Sequence, residues 1–569
     1  MQICISKPQI APQDKEMQDV NSPAPVDCQL SQWSEWTDCF PCQEKKHRYR
    51  RLVQPARFAG QRCGGHFWDE QACRADTTCT GFPSCGKDFQ CEETGRCIKR
   101  HLVCNGEPDC RDGSDEDNCE DEDTESPCEH LFPIPGSEKA VQGYNILTQE
   151  GRQYIYDPNF FGGHCEYVYN GEWRELKYDA ACERLYYGDD EKYFRKPYNF
   201  HIYQFLAHAD SGFTFEFYDD SKDLLDALKS DKFKTKGFTF GIGSTGSAFQ
   251  LDLGFTLSGG EDIKISYFLY LQEVGFIRGV TKVQTARFKM RRDNIVLDED
   301  VLLSLQELPD TYNYGMYAKF INDYGTHFMT SGTMGGVFEY ILVINKEEMR
   351  RKEISACMGW SIGLTDSMNK VHLGASVSSS KCAKKGFLKT GMVAGQIAVV
   401  EDIIPRIRGG DTSYSGGLLN SWDGNMYRHW GRSLKYNPAV IDFELQPIHE
   451  ILSRSGLGHM ETKRQNLKRA LDDYLLEFNA CRCGPCQNNG EPVLVGDTCF
   501  CQCRPGYTGP ACEKTKRQGK IKTDGRWSCW SDWTPCQSGT ARRSRHCNNP
   551  APQHGGEPCM GGNQQSKAC

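Results

Sequence analysis

Two stretches of the chain alternate apolar and polar side chains with a period of two. In GFTFGIGSTGSAFQLDLGFTLSGG, residues 237–260, the apolar positions are Phe238, Phe240 and Ile242, then Phe249, Leu251, Leu253, Phe255 and Leu257 after a turn over 244–247. Gly, Thr, Gln and Asp stand between them. In CMGWSIGLTDSMNKVHLGASVSSSKC, residues 357–382, the apolar set is Met358, Trp360, Ile362 and Leu364, then Val371, Leu373, Ala375 and Val377. Successive side chains of a strand point to opposite faces, so each stretch predicts a hairpin with one oily and one polar side. Seven glycines in the first stretch disfavour a helix by about 1 kcal/mol each relative to alanine.

The surrounding pattern is mixed. Residues 275–290, GFIRGVTKVQTARFKM, alternate as a long strand, and VFEYILVI, 337–344, is a buried strand candidate. DEDVLLSLQELP predicts a helix with acidic residues in its first turn and Pro309 as its stop. TYNYGMYAKFINDY places Tyr312, Met316, Phe320 and Tyr324 on one helical face, and Leu467, Ala470, Leu471, Tyr474, Leu475 and Phe478 recur at helical spacing. These elements fall within residues 121–480 and predict an α+β domain with long strands.

The length, 569 residues, requires several domains. A net charge of -9 argues against a nucleic-acid partner, and mean hydropathy is -0.62. No apolar run reaches the ~18 residues of a helical membrane span. The thirty cysteines are clustered, with six in 28–79, six in 85–119 and twelve in 481–569. Dense clusters flanking a cysteine-poor middle predict disulfide-stapled modules around one large domain in a secreted protein. Residues 1–20 lack the apolar core of a signal peptide, so an incomplete or altered N-terminus is expected, leaving Cys4 without a partner.

The flanking clusters carry recognisable spacings. CQLSQWSEWTDC followed by HRYRR, and WSCWSDWTPC followed by RRSRHC, resemble thrombospondin type 1 repeats. The resemblance implies that Trp33 and Trp36 stack with Arg48 and Arg50, and that Trp33 is a C-mannosylation site. CGKDFQCEETGRCIKRHLVCNGEPDCRDGSDEDNC resembles an LDL-receptor class A module. That resemblance implies a calcium site with side-chain ligands Asn105, Asp109, Asp115 and Glu116 and the carbonyls of Leu102 and Glu107, oxygen ligands that suit a hard cation. The family usually has Asp where Asn105 stands, so one charge is missing. CGPCQNNGEPVLVGDTCFCQCRPGYTGPAC resembles an EGF-like module. The expected boundaries are 1–27 for an N-terminal segment, 28–80 and 524–569 for the repeats, 84–120 for the class A module, 121–480 for the large domain and 481–513 for the EGF-like module.

Within the large domain, YGTHFMTSGTMGG, residues 324–336, resembles the signature of the membrane attack complex/perforin (MACPF) family. It comprises Tyr324, Gly325, Thr326 and His327, and then Gly335 and Gly336, which can permit a strand bend. No nucleophile or carboxylate motif accompanies His327, which reads as a packed structural histidine in a protein that is not an enzyme. The resemblance implies an α+β fold like that of the cholesterol-dependent cytolysins, with a bent central antiparallel sheet and two helical clusters that refold into transmembrane hairpins. The two alternating stretches would be those hairpins.

The module order is similar to the terminal complement components of that family. By this resemblance Cys128 pairs with Cys165, Cys357 with Cys382 and Cys481 with Cys529. Cys182, in an insertion, is then left over, and an odd cysteine in a secreted chain suggests an intermolecular bond. The implied partners are a small lipocalin-type gamma chain bonded through Cys182, a beta chain, components five, six and seven, component nine, and target-membrane lipid. Two other readings stay open here: a self-sufficient perforin-like pore former, and an extracellular adhesion protein that makes no pore.

Overall fold

The computed structural model describes residues 22–41, 44–75, 84–119, 128, 131–148, 150–169, 178–179, 184–185, 193–206, 212–218, 274–345, 400–411, 413, 424–455, 460–503, 507–515 and 522–569. The large domain is organised by one antiparallel sheet. Its strands are β1 (Gln142–Asn145), β2 (Glu150–Tyr154), β3 (Phe200–Phe205), β4 (Gly212–Tyr218), β5 (Val274–Met290), β6 (His327–Asn345), β7 (Val400–Arg408) and β8 (Ala439–Pro447).

Two long strands, β5 and β6, form its spine. They pair from Val274↔Asn345 to Lys289↔Ser331 with one register shift, between Gln284 and Ala286. Each has two successive neighbours on its outer side. β5 pairs with β4 over Phe276–Lys282 and with β3 over Ala286–Met290. β6 pairs with β8 over His327–Gly335 and with β7 over Val337–Ile344. The stretch 337–344 is thus the second half of one 19-residue strand.

Four helices matter for the site: α1 (Glu299–Glu307), α2 (Tyr314–Tyr324), α3 (Gly424–Ser433) and α4 (Glu461–Glu477). The Asp298 side chain caps α1 by accepting from the Asp300 N–H, with Glu299 and Asp300 in the first turn favoured by the helix dipole. Asn313 caps α2 by accepting from the Met316 N–H. That cap starts α2 at Tyr314, so Tyr312 precedes the helix instead of sharing its face. The Tyr312 ring stacks on Tyr317 at 6.2 Å and its hydroxyl donates to Asp473. α4 buries Leu467, Ala470, Leu471, Tyr474 and Leu475 in the same core as Val301, Leu305, Tyr317, Ile321 and Phe328. On the other half of the sheet, α3 sets the fully buried Trp430 against Phe338, with ring centroids 6.0 Å apart.

The small modules are held by stacking and disulfides. Trp33 lies 4.6 Å from the Arg48 guanidinium and 4.5 Å from that of Arg50, and Trp36 lies 4.5 Å from Arg48. The C-terminal repeat repeats this ladder with Trp527, Trp530 and Trp533 against Arg545, Arg543 and Lys567. Cation–π contacts of ~0.5–2 kcal/mol each stand in for a core too small to form. The first repeat is fastened to the large domain through Glu477, which accepts from the Tyr49 and Tyr314 hydroxyls and the Leu52 N–H. Among the described residues no helix is long and apolar enough to cross a membrane.

Candidate functional site

The sheet brings four strand ends to one place. β4 ends at Tyr218, whose partner is Phe276. β5 begins at Val274 opposite Asn345, the last residue of β6. β7 begins at Val400 opposite Ile344. The segment 219–273 therefore leaves β4 and returns as β5, and 346–399 leaves β6 and returns as β7, both from the same end of four adjacent strands. A buried ion pair, Arg278 Nε to Glu339 Oε1 at 2.5 Å, ties β5 to β6 just inside that end. The expected hairpin residues, Phe238–Leu257 and Met358–Val377, lie outside the described residues, as do Cys182, Cys357 and Cys382.

The signature residues occupy the opposite end and the middle of β6. Gly325 terminates α2 at φ +92, where a Cβ would lie 2.7–2.9 Å from the Tyr144 backbone. Thr326 is fully buried, its hydroxyl donating to the Tyr144 carbonyl and accepting from the Ile146 N–H. Its carbonyl accepts from the Ile448 N–H. The Tyr324 hydroxyl is within hydrogen-bond distance of Ser304, and burial raises its pKa to about 12. His327 Nδ1 is 2.9 Å from the Thr326 hydroxyl, and burial, helped by nearby His449, lowers its pKa to about 3. The ring is neutral at physiological pH and holds the Thr326 hydroxyl, which in turn donates to β1 at the Tyr144 carbonyl.

Gly335 and Gly336 sit where β6 changes neighbours from β8 to β7. Gly335 has φ +155, and a Cβ there would be 1.8 Å from the Val283 carbonyl oxygen. A Cβ on Gly336 would meet Leu434 at 2.5 Å and Trp430 at 2.7 Å. The β5 register shift falls at the same level. Gly409, just after β7, was not singled out by sequence, yet its Cβ would lie 2.5 Å from the Gly335 carbonyl oxygen.

The class A module presents an oxygen-rich loop. Asp109 and Asp115 are 5% and 0% exposed. Asp115 accepts from the Asp109 and Cys110 N–H groups, and Glu116 from those of Asn105 and Gly106. The Asn105 amide donates to Asp109. Burial, with Asp115 and Glu107 adding, still pushes the Asp109 carboxyl up to about 6. Buried carboxylates left with excess negative charge, and an all-oxygen donor set, fit a hard cation. No local pattern marked the module's seat on the large domain. Arg96 pairs with Asp157 and Glu299, and Arg195 pairs with Glu107, contacts between residues far apart in the chain.

The structure bonds Cys128 to Cys165 and Cys481 to Cys529, the latter joining the EGF-like module to the last repeat. Among the described residues the one close cluster of metal-ligating types, Cys28, Cys63 and Asp497, contains a disulfide and offers no thiolates.

Comparison with known proteins matches this chain to sequence families. The MAC/Perforin domain model matches residues 140–484, the low-density lipoprotein receptor class A model 83–119, and the thrombospondin type 1 model 31–79 and 525–569. A model for the EGF-like domain shared by the alpha and beta chains of complement component C8 and by component C6 matches 486–514. The complement component C8 alpha chain of Oryctolagus cuniculus is 56% identical, covering 99% of this chain and 98% of its own. The C8 beta chain of Mus musculus is 33% identical, covering 96% and 90%. The crystal structure of GNIP1Aa from Chromobacterium piscinae superposes with a TM-score of 0.37 at 12% identity, over 77% of this chain and 70% of that one. A family model spanning most of the chain, and a relative more than half identical over nearly all of it, place this protein in the membrane attack complex/perforin family.

Proposed function

We propose that this chain is a pore-forming subunit of the terminal complement membrane attack complex and that it carries no catalytic activity. The observation that carries the reading is the common end of β4, β5, β6 and β7, from which both alternating segments depart. If each segment extends its flanking strands, the spine becomes two long hairpins side by side. Each arm is close to the ~9–11 residues, at ~3.3 Å each, that a tilted strand needs to cross a ~30 Å hydrocarbon core. Phe238, Phe240, Ile242, Phe249, Leu251, Leu253, Phe255 and Leu257, with Met358, Trp360, Ile362, Leu364, Val371, Leu373, Ala375 and Val377, would face lipid. Their polar neighbours would face the pore.

Four extended strands cannot close a barrel. Open edges in lipid leave backbone N–H and C=O groups unpaired, at several kcal/mol each, so insertion demands neighbouring subunits on both sides. This supports a role in which the chain joins a complex of components five to seven and nucleates polymerisation of component nine. Gly335, Gly336 and Gly409 support a hinge at mid-sheet, since close backbone approach there depends on residues without side chains. Cys182 would bond the gamma chain, and the beta chain would accompany both. Calcium, when bound, would neutralise the acidic loop of the class A module through Asn105, Asp109, Asp115, Glu116 and the carbonyls of Leu102 and Glu107. Trp33, stacked between two guanidinium groups, would be the C-mannosylated tryptophan.

Replacing Leu251 and Leu253 with Asp in the reconstituted complex tests the reading. A charged side chain on a lipid-facing strand costs ~2–4 kcal/mol at the midplane for Arg or Lys and less for Asp, so the two substitutions together are expected to lower lysis about tenfold while assembly in solution persists. Undiminished lysis refutes the assignment. Non-reducing electrophoresis tests the Cys182 bond: Cys182→Ser releases a small partner, and an unchanged mobility contradicts it.

A further inference from the structure

The class A module and the large domain share both a core and an acidic loop. Phe160 of the large domain packs into the module's cluster of Cys91, Ile98, Leu102 and Cys110, and stacks edge-on against Tyr198 at 5.5 Å. The following residues reach the expected calcium loop itself. Gly162, at φ +64, follows on directly, where a Cβ would meet the Phe160 and Tyr198 rings at 3.3 Å. A Cβ on Gly163, at φ +68, would lie 2.8 Å from a Leu102 methyl and 3.7 Å from the Asn105 amide nitrogen. Arg195, 5% exposed, grips both carboxylate oxygens of Glu107, donates to the His164 carbonyl and lies 4.0 Å over Phe161. From the module side, Arg96 donates to the Asp109 carbonyl while paired with Asp157 at 2.7 Å and Glu299 at 3.1 Å.

We infer that the calcium loop is positioned from outside its own module, so that docking of residues 160–164 and Arg195 strengthens calcium binding, and calcium in turn holds the module on the large domain. The inference rests on the reading that this module binds calcium. The module lacks one ligand charge at Asn105, and its acidic groups repel one another without a cation. Fixing Glu107 through Arg195, the Asp109 carbonyl through Arg96, and Leu102 through Phe160 and Gly163 removes part of the ordering cost that calcium would otherwise bear. Groups that orient metal ligands from outside the coordination shell change affinity by ~10–100-fold in known sites. Linkage makes the coupling reciprocal: whatever factor docking adds to calcium affinity, calcium adds to docking.

The test uses the full chain. Calcium affinity is measured by titration calorimetry for wild type, Arg195→Lys and Gly163→Val. Arg195→Lys keeps the charge and loses the two-pronged grip; Gly163→Val wedges the loop from Leu102. The dissociation constant should rise about tenfold in each, the lower end of the range for such outer groups. Hydrogen exchange is then followed at 157–166 with calcium and with chelator, taking the strand Thr540–Ser544 of the last repeat as the internal reference. Chelation should accelerate exchange at 157–166 and leave the reference unchanged. Equal affinities in all three proteins, or exchange at 157–166 indifferent to calcium, would overturn the inference while leaving calcium binding intact. Absence of calcium binding in wild type would overturn both.

Discussion

Gly335 and Val283 approach so closely that no side chain fits between them: a Cβ on Gly335 would stand 1.8 Å from the Val283 carbonyl oxygen. The obstacle is backbone, which cannot swing aside. Gly336 meets the side chains of Leu434 and Trp430, which are buried but can shift further than backbone can. Gly335→Ala is therefore expected to destabilise the large domain by more than ~3 kcal/mol, or to prevent secretion, while Gly336→Ala costs less. Thermal unfolding of the two variants checks the order; equal losses would mean that the bend does not depend on the Val283 contact.

The buried His327 predicts an acid response. Its folded pKa, about 3, lies below the ~6.5 of an unfolded chain. The folded state stays neutral while the unfolded chain takes up a proton, so this contribution is whole above pH ~6.5 and is lost as pH falls from there toward 3. His449, lowered to about 4 mainly by burial, acts in the same direction. Glu307 opposes them, because burial raises its carboxyl to about 7 and favours the fold as pH falls. The informative quantity is thus a difference. His327→Asn should be less stable than wild type at pH ~7.5, yet lose stability less steeply between pH ~6.5 and ~5, by up to ~1.4 kcal/mol per pH unit. Melting temperatures across that range decide it, and parallel curves would mean that His327 plays no part in the acid response.

Glu477 predicts how the first repeat is attached. Burial and the Glu477 charge raise the pKa of both Tyr49 and Tyr314, keeping their hydroxyls as donors. Glu477→Ala strands these two donors and the Leu52 N–H, for a loss of about 3 kcal/mol. Hydrogen exchange should quicken across the strand Lys45–Tyr49 and the start of α2 while the last repeat is unaffected. Unchanged exchange at Lys45–Tyr49 would place the attachment elsewhere.

Much of this architecture was legible from local pattern. Period-two alternation in 275–290 marked β5, and Leu467, Ala470, Leu471 and Tyr474 marked the buried face of α4, because both signals lie within one element. Trp33 and Trp36 with Arg48 and Arg50 were legible through the resemblance to thrombospondin type 1 repeats, whose stacking they share. The start of α2 was misplaced across Tyr312 because the Asn313 cap outweighed the aromatic periodicity. What sequence did not disclose is contact between elements. Arg195 with Glu107, Glu477 with Tyr49, and Gly409 against Gly335 are each single residues in unremarkable stretches, and only the folded chain brings them together.

The central claim is that the alternating segments become strands with one face in lipid. The most direct measurement places an environment-sensitive fluorescent amino acid singly at each position from 249 to 257 and records emission before and after assembly on vesicles. Insertion as a hairpin predicts a shift toward apolar emission at Phe249, Leu251, Leu253, Phe255 and Leu257, and aqueous emission at Gln250, Asp252, Gly254 and Thr256. Emission that stays aqueous throughout, or shifts without a period of two, would contradict insertion as a β-hairpin.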